Sequence, residues 1–130
     1  MREWIWVPLP VLHAIHDRQI ARHGGAPGTR DVTLLEGAAA RPVNRAVYEA
    51  GTVFEVAAAY GFGIAKAHAF VDGNKRTAFV ATLTFLRLNG FALRPDPTDG
   101  VQMMEDLASG ARSEADFAVW LEHLARPIEG

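Results

Sequence analysis

Residues 68–77 read HAFVDGNKRT and lie between two long, mostly apolar stretches with helical spacing. The segment combines an imidazole, a carboxylate, a glycine, an amide and two cations, a composition that is unfavourable for a hydrophobic core. A helix is predicted to begin near Asn74, and the free backbone N–H groups at a helix N-terminus attract anions. Lys75 and Arg76 add positive charges there, although cations at this end oppose the helix dipole. The sequence therefore predicts a phosphate site in this segment.

Two side chains of the segment have chemistry that suits the transfer of a phosphate. His68 can accept a proton near neutral pH, although a lone histidine also suits a structural position at the C-terminus of a helix. Asp72 can hold a divalent cation through its oxygens or can simply cap the following helix, and the two roles are compatible. Together with an anion cradle at Gly73–Arg76, they supply the parts that phosphoryl or nucleotidyl transfer needs.

The segment resembles the signature of the Fic/Doc superfamily, which reads His-x-Phe-x-Asp/Glu-Ala/Gly-Asn-Gly-Arg-x-x-Arg. The matching residues are His68, Phe70, Asp72, Gly73, Asn74 and Arg76. Lys75 replaces a glycine of the general pattern, and Phe79 replaces its last arginine. The lysine is typical of the death-on-curing (Doc) toxins, which read His-x-Phe-x-Asp-Ala-Asn-Lys-Arg-Thr. The likeness extends to His16-Asp17, to residues 24–28 and to residues 85–90, so it covers most of the chain.

The resemblance implies a Fic/Doc fold and a toxin of a toxin–antitoxin system. Doc toxins are protein kinases that transfer the γ-phosphate of ATP to a threonine of elongation factor Tu, which blocks translation. Most Fic proteins instead transfer AMP to a hydroxyl group. Lys75 crowds the pocket that a Fic enzyme keeps open, and Phe79 cannot clamp the outer phosphates as an arginine would. Both departures favour the Doc activity over two alternatives: a Fic-type AMP transferase, and a catalytically silent partner that binds its antitoxin.

The resemblance also implies roles for individual residues. The expected catalytic residues are His68, Asp72 and Lys75. The expected contacts to the nucleotide phosphates are Lys66, Gly73, Asn74, Lys75 and Arg76. ATP and Mg²⁺ are the expected cofactors, with Mg²⁺ held by Asp72.

Inhibition is expected to come from a separate antitoxin. Some Fic proteins carry an inhibitory helix with the pattern Ser/Thr-x-x-x-Glu-Gly/Asn, but Val32 stands four residues before Glu36 in this chain. We expect the antitoxin to bind as an amphipathic segment in a groove between helices. Trp4, Trp6 and Trp120 are candidates for the walls of that groove.

The bulk properties of the chain limit its class. A length of 130 residues suits one domain, 1–130, with one core. A net charge of −2 gives no reason to expect nucleic acid or an anionic membrane as a partner. The absence of cysteine excludes disulfides and fits a cytoplasmic protein. The first ten residues lack a secretory pattern, and no apolar segment is long enough to span a bilayer.

Helical spacing predicts a compact all-α bundle of about six helices without clear strand alternation. The expected helices run from Pro8 or Pro10 to about Arg22, from a cap at Asp31 to Pro42, from a capping box at Thr52 and Glu55 towards His68, from Asn74 to Asn89, from Thr98 to Gly110, and from Ser113 to Pro127. Residues 44–51 are ambiguous. Gly61 and Gly63 each weaken the third helix by up to ~1 kcal/mol, or else allow another helix to pack closely.

Overall fold

The structure, a computed structural model, describes residues 3–49 and 51–129. This part of the chain contains six helices and one pair of short antiparallel strands. In chain order the elements are α1 (Leu9–His23), α2 (Val32–Tyr48), α3 (Val53–Ala67), α4 (Asn74–Leu88), β1 (Phe91–Ala92), α5 (Pro97–Ser109), α6 (Glu114–Leu124) and β2 (Arg126–Pro127). The predicted all-α bundle is confirmed. None of the described helices has the length and apolar character that crossing a membrane requires.

Helix α3 forms the centre of the bundle and packs against α2, α4, α5 and α6. Ten of its 15 residues are buried, as expected for a helix that is apolar on all sides. A Cβ atom at Gly61 would lie 2.6 Å from the Phe117 ring and 2.7 Å from the Thr82 hydroxyl. A Cβ atom at Gly63 would lie 3.3 Å from the Ala38 carbonyl. The two glycines therefore allow close packing of neighbouring helices.

Local capping signals place several helix ends where the sequence predicts them. Thr52 and Glu55 form a reciprocal capping box at the start of α3, and Ser113 and Asp116 form another at the start of α6. The Asp31 carboxylate accepts the Leu34 N–H at the start of α2. These caps satisfy backbone donors that have no partner inside the helix.

The predicted end of α2 at Pro42 is wrong, because the helix continues to Tyr48. A proline inside a helix removes one backbone hydrogen bond. Here the proline is buried, and Arg45, one turn later, forms ion pairs with three carboxylates. The partners are Glu49, Glu55 and Glu114. We attribute the continuation to the burial of Pro42 and to the ion pairs with Glu55 and Glu114 on other helices, which the local sequence does not reveal; the pair with Glu49 is local to the helix end.

Two other features of the second half differ from the prediction. Asp96, rather than Thr98, caps α5: its carboxylate accepts the Thr98 N–H at 2.9 Å. Pro97 takes the first helical position, where a missing N–H costs nothing. The strands β1 and β2 were not predicted, since two residues are too few to show alternation.

The segments that precede α1 and follow α6 meet at the turn after α4. The Asn89 side chain accepts the Ile5 N–H at 3.0 Å and donates to the Ile5 carbonyl at 2.9 Å. The Ile128 N–H donates to the Gly90 carbonyl at 2.9 Å. Close by, Trp4 and Trp6 pack against Phe85, at 6.1 and 5.7 Å between ring centroids. Both tryptophans thus contact the core of their own chain.

Candidate active site

His68 lies at the junction between α3 and the loop that leads to α4. It is the C-cap of α3 and adopts the left-handed conformation, with φ 51° and ψ 41°. Among the described residues it is the one non-glycine residue with positive φ. Its carbonyl accepts a hydrogen bond from Arg30 Nη2 at 2.6 Å. Such a backbone conformation is strained and persists where the surroundings fix it, which is common at functional sites.

The imidazole of His68 is exposed, and no described side chain forms a hydrogen bond with it. The same residue lines the cavity of about 750 Å³ that is described below. A histidine in this situation can exchange a proton with a bound molecule.

The loop between α3 and α4 is held by its neighbours on both sides. The Asn74 side chain accepts the Phe70 N–H and donates to the Phe70 carbonyl, both at 3.0 Å. On the other side, the backbone N–H groups of Arg30 and Asp31 donate to the Ala69 carbonyl. The loop geometry is therefore set by hydrogen bonds from both α4 and the α1–α2 connection. The oxygen and the nitrogen of the Asn74 side chain are thus both used to hold the loop.

The carboxylate of Asp72 accepts two backbone N–H groups. Oδ1 accepts from Gly73 at 2.9 Å, and Oδ2 accepts from Ala26 at 3.3 Å. Each carboxylate oxygen has two lone-pair directions, so each retains one for another partner. The side chain is exposed and can bind a ligand without losing these two bonds.

Glycine suits the backbone conformation at position 73. Gly73 is the N-cap of α4 and has φ 74°, a left-handed conformation that glycine adopts without strain. A Cβ atom there would also lie 3.1 Å from Ile20. The residue thus brings the chain from Asp72 directly into the first turn of α4.

The first turn of α4 concentrates positive charge. It contains Lys75 and Arg76 and no acidic residue, and its N–H groups have no partners inside the helix. Lys75 Nζ lies 2.8 Å from Glu105 Oε1 on α5, and both side chains are about half exposed. Arg76 Nη2 donates to the Gly24 carbonyl at 3.1 Å. Both cations are thus held beside the helix start, Lys75 by the Glu105 carboxylate and Arg76 by the Gly24 carbonyl.

A cavity of about 750 Å³ lies between this loop and helices α1, α4 and α5, with Gln19 and His23 contributed by α1. Its polar side carries six of the predicted site residues. They are His68, Asp72, Gly73, Asn74, Lys75 and Arg76. Its apolar wall comes from α4 and α5. The members of this wall are Phe79, Val80, Pro97, Gly100, Val101 and Met104.

Lys66 is the predicted site residue that does not line this cavity. It is exposed in the last turn of α3, and its Nζ lies 5.8 Å from the centroid of the Phe62 ring. Its position gives no support to a phosphate contact.

Glu105 is a cavity residue that the sequence analysis missed. It lies 30 positions after Lys75, its ion-pair partner, so no local pattern connects them. Helical spacing places Glu105 on the same face of α5 as Val101, one turn away, but does not reveal which element that face contacts.

Comparison with known proteins agrees with the site. The chain belongs to the Fic/DOC family, whose sequence model matches residues 6–86. "Protein kinase doc" of Escherichia phage P1 is 42% identical over 101 residues, which cover 77% of this chain and 76% of that protein. "Toxin Doc" of Mycolicibacterium smegmatis is 45% identical over 76 residues, which cover 56% of this chain and 58% of that protein. The predicted family, including its Doc branch, is confirmed.

Proposed function

We propose that residues 1–130 form a single Doc-type toxin domain that transfers the γ-phosphate of ATP to a threonine hydroxyl of elongation factor Tu, and so blocks translation. One observation carries this proposal: a single cavity unites the unpaired imidazole of His68, the Asp72 carboxylate and the cationic start of α4. The names of the two relatives, a protein kinase and a toxin, point the same way. Since elongation factor Tu works in the cytoplasm, the toxin would act there.

The site residues divide the work of phosphoryl transfer. His68 accepts the proton of the threonine hydroxyl as its oxygen attacks the γ-phosphorus. A new bond forms between the threonine oxygen and phosphorus, and the bond from phosphorus to the bridging oxygen of ADP breaks. Lys75, Arg76 and the first N–H groups of α4 stabilise the negative charge that spreads over the phosphate oxygens. For this, Lys75 exchanges its contact with Glu105 for a contact with phosphate.

The donor atoms of the site fit Mg²⁺ that is shared with a nucleotide. Within residues 3–49 and 51–129, no three His, Cys, Asp or Glu side chains are grouped so that they could hold a metal ion. Mg²⁺ is commonly bound through one or two carboxylates together with substrate phosphates and water. Asp72 offers one free lone pair on each oxygen for such a role. When bound there, Mg²⁺ would neutralise charge on the phosphates.

A cognate antitoxin is the second proposed partner, bound through an amphipathic segment. Exposed apolar side chains beside the cavity support this, since Val101 and Val71 are 66% and 52% exposed. An antitoxin helix with apolar residues on one face would cover such side chains.

Intact-mass measurement of the target tests the activity. Purified protein, elongation factor Tu, ATP and Mg²⁺ should give a mass increase of one phosphate group. A mass increase of one AMP group would instead indicate a Fic-type transferase. An unchanged mass would favour a protein that binds its antitoxin and has no catalytic activity. We expect His68→Ala to lower the rate by ~10²–10⁴-fold, because the hydroxyl loses its base.

His123→Ala provides the matched control, because His123 is exposed on α6 and does not line the cavity. Full activity in His68→Ala, at the same protein concentration as the control, would contradict the assignment of His68.

A further inference from the structure

His16 on α1 is a buried histidine that contacts the loop between α3 and α4. Its side chain is 2% exposed. Its ring stacks on Phe70, with 3.9 Å between the ring centroids and 6° between the ring planes. Its Nε2 lies 2.8 Å from the main-chain carbonyl oxygen of Asp72. Because a carbonyl oxygen only accepts, Nε2 must carry the hydrogen of this bond.

The peptide that His16 contacts also controls the Asp72 side chain. The Asp72 carbonyl and the Gly73 N–H belong to one planar peptide unit, so fixing the direction of one fixes the direction of the other. That Gly73 N–H donates to Asp72 Oδ1 at 2.9 Å. A chain of contacts therefore runs from the His16 imidazole through the peptide to the carboxylate.

Side-chain packing does little to hold this peptide. The Val71 and Asp72 side chains are both exposed, and apart from the bond that Asp72 Oδ2 accepts from the Ala26 N–H at 3.3 Å, the loop there is held through its backbone. Asn74 fixes the loop at Phe70, and the Val71 N–H donates to the Gly28 carbonyl at 3.1 Å. In the described part of the chain, His16 is the hydrogen-bond partner of the Asp72 carbonyl.

We propose that His16 is a positioning residue for the transfer reaction: it orients the Asp72–Gly73 peptide and, through it, the Asp72 carboxylate. This inference rests on the proposed function for its effect on activity, but not for its effect on the loop. The buried imidazole contacts the loop backbone and does not line the cavity. Residues that orient a ligand of the reacting group typically change activity by ~10–100-fold when they are lost.

Three variants separate the hydrogen bond from the ring packing. His16→Phe keeps a ring against Phe70 without a donor, and His16→Leu is a donor-free variant with a smaller side chain. His16→Gln restores an N–H group at about the same reach. The matched control is His13→Phe, since His13 also lies on α1 and meets the edge of Phe70, at 6.0 Å between centroids. His13 hydrogen-bonds Thr29 and not the Asp72 carbonyl.

Hydrogen exchange of the Gly73 amide in the free protein is the first readout, and it needs no nucleotide, metal or activity. We expect the Gly73 amide to exchange about tenfold faster in His16→Phe than in the wild type. His16→Leu replaces this variant if His16→Phe does not fold. In His16→Gln and His13→Phe we expect exchange near the wild-type rate. Exchange at α3 core amides reports global stability and is measured in the same samples.

Steady-state kinetics are the second readout. We expect kcat to fall by ~10–100-fold in the donor-free variants, with a smaller change in the KM for ATP and with recovery in His16→Gln. The proposal is overturned if the donor-free variants match His13→Phe in both readouts. It is also overturned if His16→Gln is as impaired as they are, because the ring rather than the N–H would then hold the loop. A wild-type protein without transferase activity would contradict the proposed function, while Gly73 exchange would still decide the role of His16.

Discussion

At the scale of single residues, His68 combines an unfavourable backbone conformation with a side chain that is suited to proton transfer. A residue with a side chain in the left-handed conformation costs ~1–2 kcal/mol, and glycine avoids most of this cost. Histidine at φ 51° therefore lowers stability locally. The hydrogen bond from Arg30 and the Asn74 bridge hold the loop despite this cost. We interpret the strain as the consequence of placing an imidazole at the edge of the cavity.

Substitution of Glu105 tests whether its carboxylate competes with a bound phosphate for Lys75. We expect Glu105→Gln to lower the dissociation constant for ATP by roughly 3–10-fold, because the carboxylate competes with phosphate for Lys75 and repels it. The Lys75–Glu105 pair is about half exposed, so its loss should change the free energy of unfolding by less than about 1 kcal/mol. Calorimetric titration with ATP measures the first effect, and urea denaturation measures the second.

Glu122→Gln on α6 is the control for this charge change, because Glu122 is exposed and lies outside the cavity. Weaker binding of ATP in Glu105→Gln than in the control would show that Glu105 orients Lys75 rather than competing for it.

The candidate site was predictable from sequence where its residues are contiguous. Six of the predicted residues fall within nine positions, 68–76, and a short loop followed by a helix start necessarily keeps them together. Glu105 was not predicted, and His16 was noted in the resemblance without a role at the site, because these two residues reach the loop from α5 and α1. Asn74 was assigned to phosphate binding, whereas its side chain bridges Phe70, a contact that depends on the loop conformation. The assignment of chemical roles within the cavity stays a prediction.

At the scale of elements, the glycines of α3 determine how closely the bundle packs. We expect Gly61→Ala to destabilise the protein by ~1–3 kcal/mol, because the added methyl group would lie 2.6 Å from the buried Phe117 ring. The higher helix propensity of alanine, worth up to ~1 kcal/mol, offsets only part of this. Urea denaturation followed by circular dichroism measures the difference.

Gly37→Ala on α2 is the matched control, since nothing lies within 4 Å of a Cβ atom there. The same substitution should stabilise the protein at this site by up to ~1 kcal/mol. If Gly61→Ala stabilises the protein as Gly37→Ala does, the close contact between α3 and α6 would be refuted.

Helix ends were predictable where the signal is local. Capping boxes depend on residues three positions apart; the capping box at Thr52 and the helix start at Ser113 were both predicted correctly. Pro42 is the contrary case, since its local preference is overridden by burial and by the ion pairs of Arg45. The strand pair joins residues 91–92 to residues 126–127, a contact between distant positions that no local pattern encodes.

At the scale of the whole molecule, the proposed antitoxin should stabilise the toxin by binding its native state. We expect a peptide from the antitoxin to raise the thermal midpoint, with a gain of about 2.7 kcal/mol when the free peptide is a hundredfold above its dissociation constant. Differential scanning calorimetry with and without the peptide measures this, and a scrambled peptide of the same composition is the control.

An unchanged midpoint at saturating peptide would count against this mode of inhibition. A complex in which the peptide covers only His68, without any groove between helices, would overturn the groove but not the antitoxin. The packing of Trp4 and Trp6 against Phe85 limits the choice of groove, because these two rings already contact the core of their own chain.

The fold class itself followed from sequence, because helical spacing extends over most of the chain and the motif identifies the family. The arrangement of the helices around α3 did not follow from it. That arrangement depends on which faces meet, and the relevant contacts, such as Gly61 against Phe117, join distant positions.

The turn after α4 has a consequence for the connectivity of the chain. It holds residue 5 through Asn89 and residue 128 through Gly90, so the path of the backbone nearly closes on itself. A circular permutant that links these two segments and opens the exposed turn between Gly110 and Ala111 would keep α1–α5 and the cavity continuous. The loop at residues 68–76 would then lie in the second part of the reordered chain and emerge from the ribosome after α6. Such a rearrangement would delay the appearance of the candidate site during synthesis without altering its geometry.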